Sequence, residues 1–191
     1  MARARTFIAV ELPRDIRDAC VDLQESLARA APEVKWVEEE NLHITLLFLG
    51  EVDDRDLLTV CRAAQKACAG VEPFALEVKG AGCFGDARQP RTIWVGTGEG
   101  SAELVALHTA LEEAMLDLRG YRREDRRFTP HVTLGRAKSN EPAEDLPAAL
   151  LRERDWKGGE CDVSQVRVLS SELRREGPVY AVLSTVKLKK S

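Results

Sequence analysis

Apolar and polar positions along the chain change period several times. TFIAVEL (6–12) reads as a short strand closed by Pro13, and from Asp15 to Ala31 the residues Ile16, Cys20, Leu23 and Leu27 recur at helical spacing. Pro32 ends that helix, and VKWVEEEN leads into LHITLLFLG, a strand expected to stop at Gly50. Asp53 or Asp54 is placed to cap a helix to about Ala69, with Leu57, Val60, Cys61, Ala64 and Cys68 on one side. PFALEVKG alternates as a strand, GAGCFGDARQP (80–90) reads as a glycine-rich connection, and RTIWVGTG (91–98) is the next strand. Ser101 is the expected cap of a second amphipathic helix through about Leu118, and FTPHVTLGRA (128–137) is the strand after it.

The same order of elements occurs twice. His43 and His131 are 88 residues apart, as are Thr45 and Thr133; Phe7 falls on Val95 at that offset, and Leu76 and Val78 fall on Val166 and Val168 at an offset of 90. A final strand, PVYAVLSTVKL (178–188), closes the chain. Two units are too few for a solenoid, and neither half shows the glycine-punctuated βα alternation of a doubly wound sheet. The expected fold is α+β over a single domain, residues 1–191: two pseudo-symmetric lobes of antiparallel sheet with outer helices, approximately 1–85 and 86–191, and an active-site cleft between them.

Composition narrows the partners. With 44% hydrophobic residues the chain can bury a sizeable core, and its net charge of −4 argues against global attraction to nucleic acid or an anionic membrane. Five cysteines (20, 61, 68, 83 and 161) form no C-x-x-C pair and are odd in number, so reduced thiols in a cytoplasmic protein are expected. The N-terminal apolar run reaches Glu11 too soon for a signal-peptide core or a membrane span. Lys187, Lys189 and Lys190 read as a solvated end. Residues 119–138 depart from the average, with seven Arg or Lys against two acids, a local charge of +5. Such a run is either a solvated face or a surface for a polyanion.

The chemistry sits in the two repeated strands. Residues two apart in a strand share a face, so His43 projects with Thr45 and His131 with Thr133, while Ile44, Leu46 and Phe48 are expected to anchor the first strand in the core. Two imidazoles with pKa values near ~6.5 can divide general-base and general-acid work, and two threonine hydroxyls can hold phosphoryl oxygens. That set suits in-line displacement at phosphorus without a metal. His108, on the helix with Leu104, Leu107, Leu111 and Met115, has no matching motif and reads as structural. VGTGEGS (95–101) lacks the full nucleotide-loop pattern and reads as a plain turn. Two histidines with no third ligand motif make a weak metal site.

FIAVELP (7–13), WVEEENLHITLLFLGEV (36–52), PRTIWVG (90–96), FTPHVTLGRAK (128–138) and SELRREGPVY (171–180) resemble the 2H phosphoesterases, and among them the RNA 2′,3′-cyclic phosphodiesterases once called 2′-5′ RNA ligases. Phe84-Gly85 and Gly135 depart from what many members carry. The resemblance implies an enzyme, without cofactor or metal, that opens RNA 2′,3′-cyclic phosphate ends, tRNA fragments among the candidates, to 2′-phosphates. It implies His43 as proton donor, His131 as proton acceptor, Thr45 and Thr133 on phosphate oxygens, and Arg136 as a substrate-binding residue. Arg136 is at odd parity from His131, so it reaches the cleft only where the strand bends or ends near Gly135. The protein is expected to act as a monomer with no membrane partner. Ligation through the same site and a non-catalytic RNA-binding module are the alternative readings; no RNP-type or KH pattern supports the second.

Overall fold

A computed structural model describes residues 3–123, 125–138, 142–174 and 177–189. Lys190 of the basic end, residue 124 of the arginine-rich run and residues 175–176 of SELRREGPVY lie outside the described residues.

The elements in chain order are β1 (Arg3–Glu11), α1 (Arg14–Ala28), β2 (Val34–Trp36), β3 (His43–Asp53), α2 (Leu57–Ala67), β4 (Phe74–Asp86), β5 (Gln89–Thr97), α3 (Ser101–Ala114), β6 (Val132–Ala137), α4 (Leu146–Arg152), β7 (Lys157–Val163), β8 (Gln165–Leu173) and β9 (Pro178–Lys187). The strands run β7-β4-β5-β6-β3-β1-β8-β9, with β2 beside β6, and every pairing is antiparallel. The α+β class and the paired antiparallel arms are as the repeat implies.

The arms meet at one residue pair, Ile44 with Val132, in the middle of the two H-x-T motifs. On one side the order is β3-β1-β8-β9 and on the other β6-β5-β4-β7, so the arms correspond strand for strand. They are not the two halves of the sequence, however. β4, from before residue 86, lies in the arm of β5 and β6, while β8 and β9 lie beside β1. Two helices cross over as well. α1 packs on β6 and β7, and α3 packs on β3 and α2. Each of these two buries its apolar stripe behind the arm to which the strand before it does not belong, which ties the halves through one core. Leu23 and Leu27 of α1, Leu104, Leu107 and Leu111 of α3, and Ile44, Leu46, Val132 and Leu134 of the motif strands share that core.

The face away from the helices is open. Five consecutive buried residues, 6–10, break the alternation of β1 because both its faces are covered. Ile8 and Val10 enter the main core, while Phe7 and Ala9 join Leu169 and Tyr180 in a smaller cluster on the open side.

Several local expectations change. β3 does not stop at Gly50; a φ of 70° lets that glycine carry a bulge, and pairing with β1 continues to Asp53. GAGCFGDARQP is no connection, because β4 extends through it to a hairpin with β5. Gly82 is needed there: a Cβ would come within 2.6 Å of the Trp94 ring. Asp53 accepts from the Arg55 backbone N–H and guanidinium, and the residue before α2 is Asp56, with no side-chain cap. Ser101 is the first residue of α3 and donates to the Gly98 carbonyl; Gly100 stands at the cap. β7 and α4 carry no clear signal in the sequence.

Gly100 combines a φ of 82° with a Cβ position that would overlap the Ala75 carbonyl oxygen. Gly100→Ala therefore costs about 2 kcal/mol or more of stability, from backbone strain and a collision with main chain. Urea unfolding measures this, and an unchanged midpoint with unchanged slope would refute it.

Candidate active site

His43 opens β3 and His131 immediately precedes β6. Each imidazole is oriented by the main chain two residues upstream. His43 Nδ1–H donates to the Asn41 carbonyl at 2.7 Å, and His131 Nδ1–H donates to the Thr129 carbonyl at 2.8 Å. A carbonyl only accepts, so both neutral rings carry their proton on Nδ1 and leave Nε2 as a lone-pair acceptor. Thr45 Oγ1 lies 2.9 Å from His43 Nε2 and donates to it. Because Ile44 pairs antiparallel with Val132, the register puts His43 across from Thr133 and Thr45 across from His131.

Strict alternation does not survive the next residue in either strand. Ala9 pairs with Thr45 and Ile8 with Leu47, leaving Leu46 as an extra residue; Trp94 pairs with Thr133 and Ile93 with Gly135, leaving Leu134 extra. These bulges fall at the same repeat position, and each flips the side chains that follow. Arg136 thereby turns to the face of Thr133 and lines a pocket with His43, Thr45 and Thr133. Phe48, expected in the core, is instead 44% exposed and lines the same pocket, with the Arg5 guanidinium 5.5 Å above its ring.

Both bulge carbonyls accept a hydrogen bond from a helix side chain, and that of Leu134 also accepts from the Val37 backbone N–H at 2.8 Å. Gln24 of α1 donates to the Leu134 carbonyl at 2.8 Å and to that of Val37 at 2.9 Å. His108 of α3 donates through Nδ1 to the Leu46 carbonyl at 2.7 Å, and its ring stacks on Phe128 at 4.2 Å. The structural reading of His108 holds and gains a definite content, since the residue fixes the first motif's bulge while packing against the approach to the second.

The pocket, about 350 Å³, is also lined by Phe7, Trp36, Asn41 and Tyr180. Phe7 stacks on His43 at 5.1 Å and Tyr180 meets it edge-on at 5.5 Å. His131 does not line this pocket; it stands on the other arm across from Thr45, edge-on to Phe84 at 4.9 Å and 6.3 Å from Trp94. Burial holds the His43 pKa below its ordinary value of 6.5; its bond to Asn41 opposes this, and the charges of Arg136 and His131 add to the depression. His131 is likewise lowered, by burial first and by Arg136, against its bond to Thr129. Phe7, Phe48, Tyr180, Gln24 and His108 escaped the motif reading. The apolar ones look like ordinary strand residues, and the locks lie on helices far away in sequence. Among the described residues no three His, Cys, Asp or Glu side chains gather to hold a metal ion, and no helix is long and apolar enough to cross a membrane.

Of the arginine-rich run, Arg123 is occupied by the buried carboxylate of Glu112 at 2.9 Å. Arg127 lines a separate groove on the His131 side.

The same fold also occurs in solved structures. A Thermus thermophilus protein is 30% identical, with a TM-score of 0.82 over 97% of this chain and 98% of its own. E. coli LigT complexed with 3′-AMP is 25% identical, with a TM-score of 0.77 over 98% and 99%. An Aeropyrum pernix protein named RNA 2′,3′-cyclic phosphodiesterase is 39% identical over 86% of this chain and 92% of its own length. A Methanothermobacter thermautotrophicus protein of the same name is 33% identical over 97% and 100%. Residues 9–175 match the 2′-5′ RNA ligase superfamily, and the chain belongs to that family.

Removing the His108 imidazole takes the side-chain donor from the Leu46 carbonyl, and Gln24→Leu takes one donor from the Val37 carbonyl and one from the Leu134 carbonyl, which keeps the Val37 N–H. Each of His108→Ala and Gln24→Leu lowers unfolding free energy by about 1–3 kcal/mol. Denaturant titration reads this, and midpoints equal to the native protein's would show that the bulges do not depend on these side chains.

Proposed function

We propose that this protein hydrolyses RNA 2′,3′-cyclic phosphate ends to 2′-phosphates, by metal-independent acid–base catalysis shared between His43 and His131. The observation that carries the reading is the matched pair of Nδ1–H bonds to Asn41 and Thr129, which gives both imidazoles the same tautomer, with the other ring nitrogen available for proton transfer. Family membership and the names of the archaeal relatives supply the substrate class. Five free cysteines fit a cytoplasmic setting, and the chain is taken to act as a monomer.

In the proposed reaction His131 Nε2 removes a proton from water as its oxygen bonds to phosphorus. The P–O3′ bond breaks, and His43 delivers a proton from Nε2 to the departing 3′ oxygen, leaving a 2′-phosphate and a free 3′-hydroxyl. The His43–Thr45 bond couples to this transfer. When Nε2 is protonated, Thr45 accepts from it, and the threonine hydroxyl proton is released to bond a phosphate oxygen. Thr133 binds oxygens from the opposite strand, and Arg136 adds a guanidinium donor to the same anion. The assignment of acid to His43 and base to His131 follows the family resemblance. The family's name favours a second use of the same site: a 5′-hydroxyl in place of water yields a 2′-5′ phosphodiester by the same proton transfers. Product analysis with and without an acceptor RNA separates the two.

His43→Ala and His131→Ala each reduce turnover of a cyclic-phosphate-ended oligoribonucleotide by ~10²-fold or more, and the native rate is unaffected by EDTA. Near-native turnover in either variant would remove that histidine from the mechanism, and loss of activity in EDTA would replace the metal-free reading.

The active form needs one neutral and one protonated imidazole. Because both pKa values lie below 6.5, kcat/KM traces a bell with its maximum on the acid side of that value. Arg136→Gln removes a charge that lowers both groups, so the bell moves toward higher pH while KM rises roughly 10-fold. A bell that stays in place would mean that Arg136 does not face the pair electrostatically.

A further inference from the structure

A second concave surface lies beside the site. Beyond His131, the ring of Trp94 separates the site from a groove of about 820 Å³, whose wall includes Arg127, Phe128, Thr129 and Pro130. That wall is the segment that delivers His131. The opposite rim is built from Lys79 at the start of the β4 extension, with Arg154 and Lys157 beside β7, and Gly80 and Gly96 leave part of the surface without side chains.

Charge distinguishes this groove from the rest of a chain whose net charge is −4. Lys79, Arg127, Arg154 and Lys157 line it, and the acids paired with them are Glu77, 2.5 Å from Lys79, and Asp155, 3.1 Å from Arg154. Four cations against two carboxylates leave +2. Among the described residues Arg127 and Lys157 make no salt bridge, although Lys157 is near enough to Glu77 to help Lys79 hold that carboxyl's pKa down. Trp94 and Phe128 add aromatic surface. A cationic channel with aromatic side chains suits single-stranded nucleic acid, whose phosphates follow the charge while bases pack on rings.

Resting on the proposed reaction, we propose that this groove binds the RNA strand that precedes the cyclic phosphate, with Arg127 and Lys157 each neutralising a backbone phosphate. The 350 Å³ pocket is of small-molecule size, so nucleotides upstream of the end need a surface elsewhere. The groove adjoins the site, since its wall carries residues 127–130 immediately before His131 and the Trp94 ring 6.3 Å from that imidazole, and it has the matching charge. It makes the enzyme a reader of RNA length rather than of the terminal nucleotide alone, through contacts to the backbone.

The experiment compares kcat/KM for a 2′,3′-cyclic mononucleotide and for a hexaribonucleotide with the same cyclic-phosphate terminus. The native protein favours the hexamer, and that preference shrinks as salt rises. In the double variant Arg127→Gln/Lys157→Gln the hexamer-to-mononucleotide ratio falls about 10-fold, and the log–log salt slope for the hexamer flattens by about 1.4, as expected for two lost phosphate contacts. A ratio and slope equal to native would overturn the groove. Direct binding keeps the test independent of turnover: fluorescence anisotropy with a labelled hexaribonucleotide bearing a 3′-phosphate is expected to show about 10-fold weaker binding by the double variant. Equal binding overturns the proposal. Failure of the native protein to hydrolyse either substrate strikes instead at the reaction, with the binding comparison still deciding the groove.

Discussion

One extra residue in each H-x-T strand, Leu46 in the first and Leu134 in the second, decides which side chains reach the cleft. Without the bulges, period-two alternation would send Arg136 to the helix side and Phe48 into the core. Each bulge carbonyl is held by a helix side chain, that of Leu46 by His108 and that of Leu134 by Gln24 together with the Val37 backbone N–H. Those side chains come from helices that have crossed behind the opposite arm. The exchange of helices is therefore part of how the site is held in shape: α3, which follows β5, fixes the strand of His43, and α1, which follows β1, fixes the strand of His131. The single residue pair between the arms suffices because the two motif strands are also clamped from behind.

The repeat makes two equivalent histidine–threonine pairs, but it surrounds them differently. At the position following each bulge, the first strand carries Phe48 and the second carries Arg136. Phe48 receives the Arg5 guanidinium on its ring, whereas Arg136 presents its own charge to the cleft and depresses both histidines. The neighbouring rings differ as well, Phe7 and Tyr180 around His43 and Phe84 and Trp94 around His131. Two identical motifs thus reach different environments, and a division of labour between them requires nothing beyond these substitutions around the pair.

Much of this was legible from residue types and spacing. The offset of 88 between His43 and His131 marks the strands that meet at the centre, and the strand and helix periods locate most elements. What escaped was whatever depends on partners distant in sequence. Nothing near Leu46 signals a bulge, since HITLLFLG is apolar through the point where the parity changes, and Phe48 was assigned to the wrong face for that reason. The equivalent problem at Arg136 was visible only because a charged residue at odd parity is conspicuous. A repeat in sequence does not reveal which arm each strand joins, so lobes divided at residue 85 differ from the arms; that choice depends on the helices crossing to bury their stripes. GAGCFGDARQP resembled a loop because of its glycines, yet Gly82 is there to admit the Trp94 ring rather than to make a turn.

The depressed histidines suit an anionic ligand. Buried and facing Arg136, both imidazoles favour the neutral form, which meets the proposed base's requirement and opposes the acid's. A bound phosphate anion opposes the part of this depression that Arg136 supplies and favours protonation of whichever imidazole its oxygens approach, while burial, the larger cause, remains. Once protonated at Nε2, His43 turns the Thr45 hydroxyl toward the phosphate. The charge of the substrate thus favours the protonation state that the proposed acid needs, and the cleft can hold two neutral imidazoles until an anion arrives.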